Sequence, residues 1–272
     1  MPLIELQNTR LFYELSGPKD GMPLVLIHGV GTDHESWNWV IKRLNGYYRI
    51  LTMDLRGHGL SSRTREAYTL EMFADDVMAL CRRIGFSCFY LVGFSLGGLI
   101  AQKMAIKYPD SLFGLVIISS VTGRTDEEKQ KVKIRLDALT SGGMDNHSKD
   151  AMKRWFTDEF IQNYPDTLKW RNIKSANNDP HCYAAAYRVL AESDLVEELF
   201  SITVPTLAIT GEQDIGSTPR MSELLANRVQ NGSAIILPGL KHSVLLEAPD
   251  VIANCLDEFM AELNDNQLPG ET

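Results

Sequence analysis

Strands alternating with helices predict an α/β fold, a mostly parallel sheet flanked by helices. Three observations carry this. Short runs that are apolar throughout, such as Pro23–Ile27 and Leu112–Ile118, have the composition of strands covered on both faces. Between them, Leu70–Ile84 repeats its apolar residues at helical spacing. From about Val121 to Leu199 the strand runs stop, and charged, aromatic and helical patterns replace them, so a helical insertion follows the sixth strand. Ligands bind at the strand ends of such sheets, and an insertion placed there reads as a lid. The expected division is a core of 1–120 and 200–264, a helical lid of 121–199 and a flexible tail of 265–272.

Taken in order, Leu3–Leu6 and Leu11–Leu15 alternate like two strands joined around Asn8. Pro23–Ile27 ends in the glycine-punctuated loop His28-Gly29-Val30-Gly31, after which Trp37, Trp39, Val40 and Leu44 suggest a helix. Tyr48–Met53 is the next strand and leads into Asp54-Leu55-Arg56-Gly57-His58-Gly59-Leu60-Ser61. The helix Leu70–Ile84 holds Leu70, Phe73, Ala74, Val77, Leu80, Cys81 and Ile84 on one face, with Thr69 placed to cap it. Phe89–Val92 and Leu112–Ile118 are strands on either side of a helix that runs to Tyr108. Beyond the insertion come a strand at Pro205–Ile209, a helix at Met221–Val229, a strand at Ala234–Leu237 and a last helix from Val251 to Leu263. Asn264–Thr272 is polar and should fray.

Composition narrows the function. With 35 acidic against 27 basic residues and no cationic run, nucleic acid is not an expected partner. No apolar run approaches the ~20 residues that cross a bilayer. The N-terminus lacks the apolar core of an export signal. Cys81, Cys88, Cys182 and Cys255 are scattered, which fits free thiols in a reducing cytoplasm better than disulfides. Oligomeric state is not legible.

The chemistry centres on Gly93-Phe94-Ser95-Leu96-Gly97, a G-x-S-x-G elbow. Twenty glycines in 272 residues make the bare pattern weak. Its position between a strand and a helix gives it weight, because the tight turn lifts the serine hydroxyl above a helix N-terminus. A serine hydroxyl needs a base, and the base needs an orienting acid. Asp214 and His242 follow the next two strands, so Ser95, Asp214 and His242 occur in the order such a triad requires. Glu212 is the rival acid. The backbone amides of Leu96 and Val30 are the expected oxyanion donors. His28 and His58 precede glycines in tight turns and should bond loop backbone, whereas His34 is a candidate substrate contact. Trp155 is expected to line the pocket, and Trp37 and Trp170 to pack. His147 and His181 should face solvent or pack within the lid. No metal-ligand cluster and no dinucleotide turn is present, so no cofactor is implied.

Together, His28-Gly29, Asp54-x-Arg56-Gly57-His58-Gly59-x-Ser61, the Ser95 elbow, Gly211-x-x-Asp214 and His242-x-x-x-x-Glu247-x-Pro249 resemble the α/β-hydrolase superfamily over essentially the whole chain. Within it the chain is similar to the 3-oxoadipate enol-lactonases. The echoes are Gly31-Thr32-Asp33, Gly142-Gly143-Met144, Arg154-Trp155-Phe156-Thr157, Asp179-Pro180 with Tyr183, and Asp194-Leu195. The resemblance implies an α/β-hydrolase fold and cofactor-free hydrolysis of an enol-lactone bearing a carboxylate, within a wider reading of carboxylic ester or lactone cleavage. Such a substrate calls for a cation in the lid, and Arg154 or Arg188 is the expected one. A broad carboxylesterase, a C–C bond hydrolase and a non-catalytic receptor of the same fold stay open.

Overall fold

The computed structural model describes residues 2–142 and 151–267. Eight strands form one sheet: β1 (Leu3–Glu5), β2 (Arg10–Ser16), β3 (Met22–Ile27), β4 (Tyr48–Met53), β5 (Phe89–Phe94), β6 (Leu112–Ile118), β7 (Thr206–Gly211) and β8 (Gly232–Leu237). Their order is β1-β2-β4-β3-β5-β6-β7-β8. Only β1 with β2 and β2 with β4 are antiparallel; from β4 to β8 every pairing is parallel.

Strand alternation sorts side chains between two cores. On β3, Val25 and Ile27 join one cluster with helices α1 (Leu70–Arg83) and α2 (Leu96–Lys107), the face that holds Phe73, Val77, Leu99 and Ile100. Leu24 and Leu26 point the other way, onto Trp37, Val40 and the last helix, Pro249–Gln267, through Ile252, Leu256 and Met260. The sheet is therefore covered on both sides, as its continuous apolar strands require. Thr69 does cap α1, its hydroxyl accepting from the Met72 amide at 3.1 Å. Trp37 is wholly buried packing, at the end of a 3-10 turn His34–Trp37 followed by the short helix Asn38–Ile41.

Between β6 and β7 the described chain is helical: α3 (Asp126–Gly142), a turn at 151–155, α4 (Asp158–Asn163), α5 (Pro165–Ala176) and α6 (Pro180–Glu192). This insertion is less separate than its sequence suggests. Val132 and Leu136 of α3 and Tyr183, Ala186 and Val189 of α6 belong to the same core cluster as the sheet. Among the described residues, Phe156, Phe160 and Leu168 form a satellite of their own.

Several residues of the family echoes turn out to fasten the insertion. The Asp194 carboxylate accepts from the amides of Gly123 and Arg124, and the Arg124 guanidinium donates to the carbonyls of Leu190, Ala191 and Ser193. Entry and exit are thus pinned together. Asp179 caps α6 through the Cys182 amide and pairs bidentately with Arg65, contacts that hold its carboxyl at about 2.

One boundary differs from expectation. The last helix continues to Gln267, because the Asn264 side chain accepts a 2.8 Å hydrogen bond from the Tyr90 hydroxyl and extends the anchored stretch. Gly143, Met144 and His147, and 268–272 of the expected tail, lie outside the described residues. No helix among the described residues is long and apolar enough to cross a membrane. The four cysteines are free thiols, and burial raises the pKa of each.

Candidate active site

Ser95 sits at the junction of β5 and α2 with φ 54° and ψ −113°, a conformation L-residues rarely adopt. Its amide donates to the Ile118 carbonyl, its own carbonyl accepts from Ser120 Oγ at 2.8 Å, and together they hold the turn in place. The flanking glycines are demanded by close approach rather than by φ. A Cβ on Gly93 would lie 2.2 Å from the Gly97 carbonyl oxygen, and one on Gly97 would lie 2.3 Å from the Ile27 carbonyl oxygen. Strand β3, the elbow and α2 therefore touch backbone to backbone. Leu96 opens α2, where the first amides have no carbonyl four residues back to bond. Its side chain goes into the core.

Asp214 lies in the loop after β7. Its Oδ1 accepts from the amides of Gly216 and Ser217 at 2.8 and 3.0 Å, and its Oδ2 lies 2.6 Å from His242 Nδ1. A carboxylate only accepts, so Nδ1 carries the hydrogen and Nε2 is left with its lone pair. Glu212 points elsewhere and receives the Gly239 amide at the surface. The His242 ring packs against Phe94 and Trp155, with centroids 5.2 and 6.3 Å away. Trp155 is brought there by the chain: its carbonyl accepts from the Ser243 amide at 2.9 Å. Two residues on, Thr157 donates to the Glu247 carboxylate from its amide and its hydroxyl. The loop carrying His242 and the insertion are thus hydrogen-bonded together.

Ser95, Asp214, His242 and Val30 all line one cavity of about 660 Å³, whose wall also includes Trp155, Arg154 and Arg171. Trp170, expected only to pack, both lines this cavity and packs on Trp39 at 4.8 Å. Arg188 is a correction: it forms an exposed ion pair with Glu192 on α6 and is not part of the cavity wall. His181 is on the surface, its Nε2 3.2 Å from the Arg65 carbonyl.

His34 is the second correction. It is not part of this wall; its amide and its Nδ1 both bond Asp54 Oδ1, at 2.8 and 2.7 Å, and its ring rests on Phe12. The wholly buried Asp54 carboxylate needs donors, and His34 supplies two. Burial alone would lower the His34 pKa, but the bond to Asp54 and the charges of Asp54, Asp33 and Glu14 leave it raised. The same Asp54 takes the Leu60 amide, Arg56 pairs bidentately with Asp76, and Ser61 donates to the Asp54 carbonyl. The Asp54–Ser61 motif therefore builds the loop behind the cavity.

His28 and His58 bond backbone, as their turn positions suggest. His28 Nδ1 donates to Gly29 O and its Nε2 accepts from Leu55; His58 Nδ1 donates to Arg56 O. Burial, then the charge of His28, push His58 down to about 3, and burial lowers His28 too. The unfolded chain then binds protons that the folded one refuses, so stability falls as pH drops from 6.5 toward 3. The raised His34 acts above that window and does not mask it, because its contribution is complete below 6.5. The pH 7-to-5 loss of unfolding free energy should be about 2 kcal/mol smaller in His58→Asn than in the wild type. Urea titrations of both proteins at the two pH values check this; equal losses would refute it.

Known proteins resemble this chain over nearly its whole length. A family model described as the alpha/beta hydrolase fold matches residues 22–249. The (E)-2-((N-methylformamido)methylene)succinate hydrolase of Acinetobacter baylyi is 28% identical over 259 residues, covering 94% of this chain and 97% of that protein. The 3-oxoadipate enol-lactonase 2 of the same organism is 27% identical over 258 residues, covering 95% and 96%. The crystal structure of the enol-lactonase from Burkholderia xenovorans superposes with a TM-score of 0.88 at 25% identity, covering 96% of this chain and all of that one.

Proposed function

The chain belongs to the alpha/beta hydrolase family, and on that premise we propose that it is a cofactor-free serine hydrolase that opens a carboxylic ester or lactone through an acyl-enzyme on Ser95. The observation that carries this is the 2.6 Å Asp214–His242 contact on the wall of the cavity into which the strained Ser95 turn also opens. His242 Nε2 takes the Ser95 hydroxyl proton as Oγ bonds the carbonyl carbon. The amides of Val30 and Leu96 receive the oxyanion. Collapse breaks the carbon–oxygen bond, and the His242 proton passes to the leaving oxygen, which in a lactone stays tethered as a hydroxyl and in an enol-lactone as an enol. Water, deprotonated by His242, then attacks the acyl carbon; Ser95 leaves with that proton and the product acid is freed. Asp214 holds the imidazole and stabilises its cation throughout.

The insertion serves as the lid, with Trp155 and Arg154 as substrate contacts. Two of the relatives are named for substrates that carry carboxylates, a succinate and an oxoadipate lactone. We take the substrate to be of that kind, an acidic ester or enol-lactone. A fluorophosphonate probe should label the protein, and an enol-lactone derived from muconolactone should be turned over faster than p-nitrophenyl acetate. Absence of labelling in the folded protein overturns the hydrolase reading. Preference for cleaving a ring-fission dienoate would replace ester with carbon–carbon chemistry.

A further inference from the structure

We propose that Arg171 selects for an acidic substrate, its guanidinium taking the carboxylate that the substrate carries away from the scissile carbonyl. This rests on the reading of Ser95, His242 and Asp214 as ester-cleaving machinery.

Arg171 lies on α5, on the inward face it shares with Leu168 and Ser175, and is 5% exposed. Its Nη1 is buried with no hydrogen-bond partner among the described residues, and Arg171 is one of the residues that line the cavity that holds Ser95. A buried charged donor left open is expensive, and proteins rarely keep one without an occupant for it. The charges near it are already committed. Asp33 acts on Arg171 through space, but its Oδ1 accepts the Glu35 amide and its Oδ2 is held by Lys174 Nζ at 2.8 Å. Tyr183 is kept neutral by burial, which raises its phenol.

Other cations on the wall have visible work. Arg124 is spent on three carbonyls at the end of α6, and Lys131 pairs with Glu127 at 2.6 Å. Burial works against the Arg171 charge, yet a guanidinium stays protonated at neutral pH, so an arriving anion meets a cation that little else compensates. Its planar fork suits a carboxylate, and the rigid helix fixes where that carboxylate must lie.

The position fits the chemistry. The guanidinium carbon is 5.1 Å from the Trp155 ring centre, and the same indole is the neighbour of His242. An anion on Arg171 is therefore separated by a short acyl chain from a carbonyl presented to Ser95. The ligand class is a short ester or lactone with one carboxylate at its far end.

The test compares monoethyl succinate with its neutral counterpart ethyl butanoate in a pH-stat assay. Arg171→Met should raise KM for the acidic ester about 10- to 100-fold, the worth of a charge-assisted hydrogen bond. Both kcat and KM for ethyl butanoate should stay within about threefold, since no charge is recognised there. An unchanged acidic-to-neutral ratio overturns the proposal, and so does a ratio that moves in Arg154→Ala but not in Arg171→Met. Should the methionine variant fail to fold, Arg171→Lys is read instead; it keeps the charge but loses the fork. Its acidic KM should rise about tenfold, and an unchanged ratio counts against Arg171 equally. A wild-type protein that hydrolyses neither ester and resists the fluorophosphonate probe points to failure of the hydrolase reading itself.

Discussion

Ser95→Ala is expected to lower kcat on p-nitrophenyl acetate about a millionfold, the scale seen when a triad nucleophile is removed from other serine hydrolases. That is roughly 8 kcal/mol of barrier. Fluorophosphonate labelling should vanish with it. Stability should stay within about 0.5 kcal/mol, because alanine keeps the Cβ and so the same strained backbone at φ 54°. Ser95→Gly separates the two roles of this position. It should be as inactive as the alanine variant, yet about 1 kcal/mol more stable than it, since glycine relieves the positive φ and loses only part of that gain to unfolded-state entropy. Thermal unfolding of the pair measures the strain carried by the elbow. A retained burst of p-nitrophenol in either variant would remove Ser95 from the role of nucleophile.

What the sequence made legible, and what it hid, divides along physical lines. Strands covered on both faces leave continuous apolar runs, and the alternation of Leu24 and Leu26 with Val25 and Ile27 between two cores is the cause of the run at β3. Loops that follow strands carry their glycines openly, so the elbow, the strand ends and the order of residues together pick out Ser95, Asp214 and His242, which line one cavity. The Asp54–Ser61 motif was equally visible, but its contacts are structural: within its own loop, to α1 through Asp76, and to His28 and His34 in the loop after β3. His34 looked like a pocket residue because it follows the β3 loop. The demand of a buried carboxylate twenty residues away decided its direction, and no local pattern reports such a demand.

Arg171 was hidden for a related reason. An arginine in Lys169-Trp170-Arg171-Asn172 reads as helix surface, whereas Arg154 and Arg188 are the cations expected in the lid. Only packing separates the three: Arg188 faces solvent, whereas Arg154 and Arg171 face the cavity. The available signal was spacing, since Leu168, Arg171 and Ser175 fall three and four residues apart and share the buried face. A cation at a core-facing position of a helix is the pattern worth searching for. Trp170 beside it does both, since an indole is large enough to pack and to line a cavity at once.

Asp214→Asn is expected to cost about 10⁴ in kcat while leaving the fold and the cavity in place. The size of the effect follows from how the carboxylate is gripped. Its Oδ1 is fixed by two amides, Gly216 and Ser217, which can only donate. An asparagine there must keep its carbonyl oxygen on those amides, and so turns its NH₂ toward His242. The imidazole nitrogen at 2.6 Å from the present Oδ2 then has to accept, which moves the ring hydrogen to Nε2. Nε2 is the atom that must receive the Ser95 proton, so the base is blocked by tautomer rather than by displacement. Nitrogen NMR of the ring should report the exchanged tautomer, and binding of a non-reactive substrate analogue should be nearly unchanged. Glu212→Gln is the control: its carboxylate accepts from the Gly239 amide at the surface, and kcat should stay within about twofold of wild type. Were the losses reversed between these two variants, the acid of the relay would be Glu212, and the 2.6 Å contact would be structural.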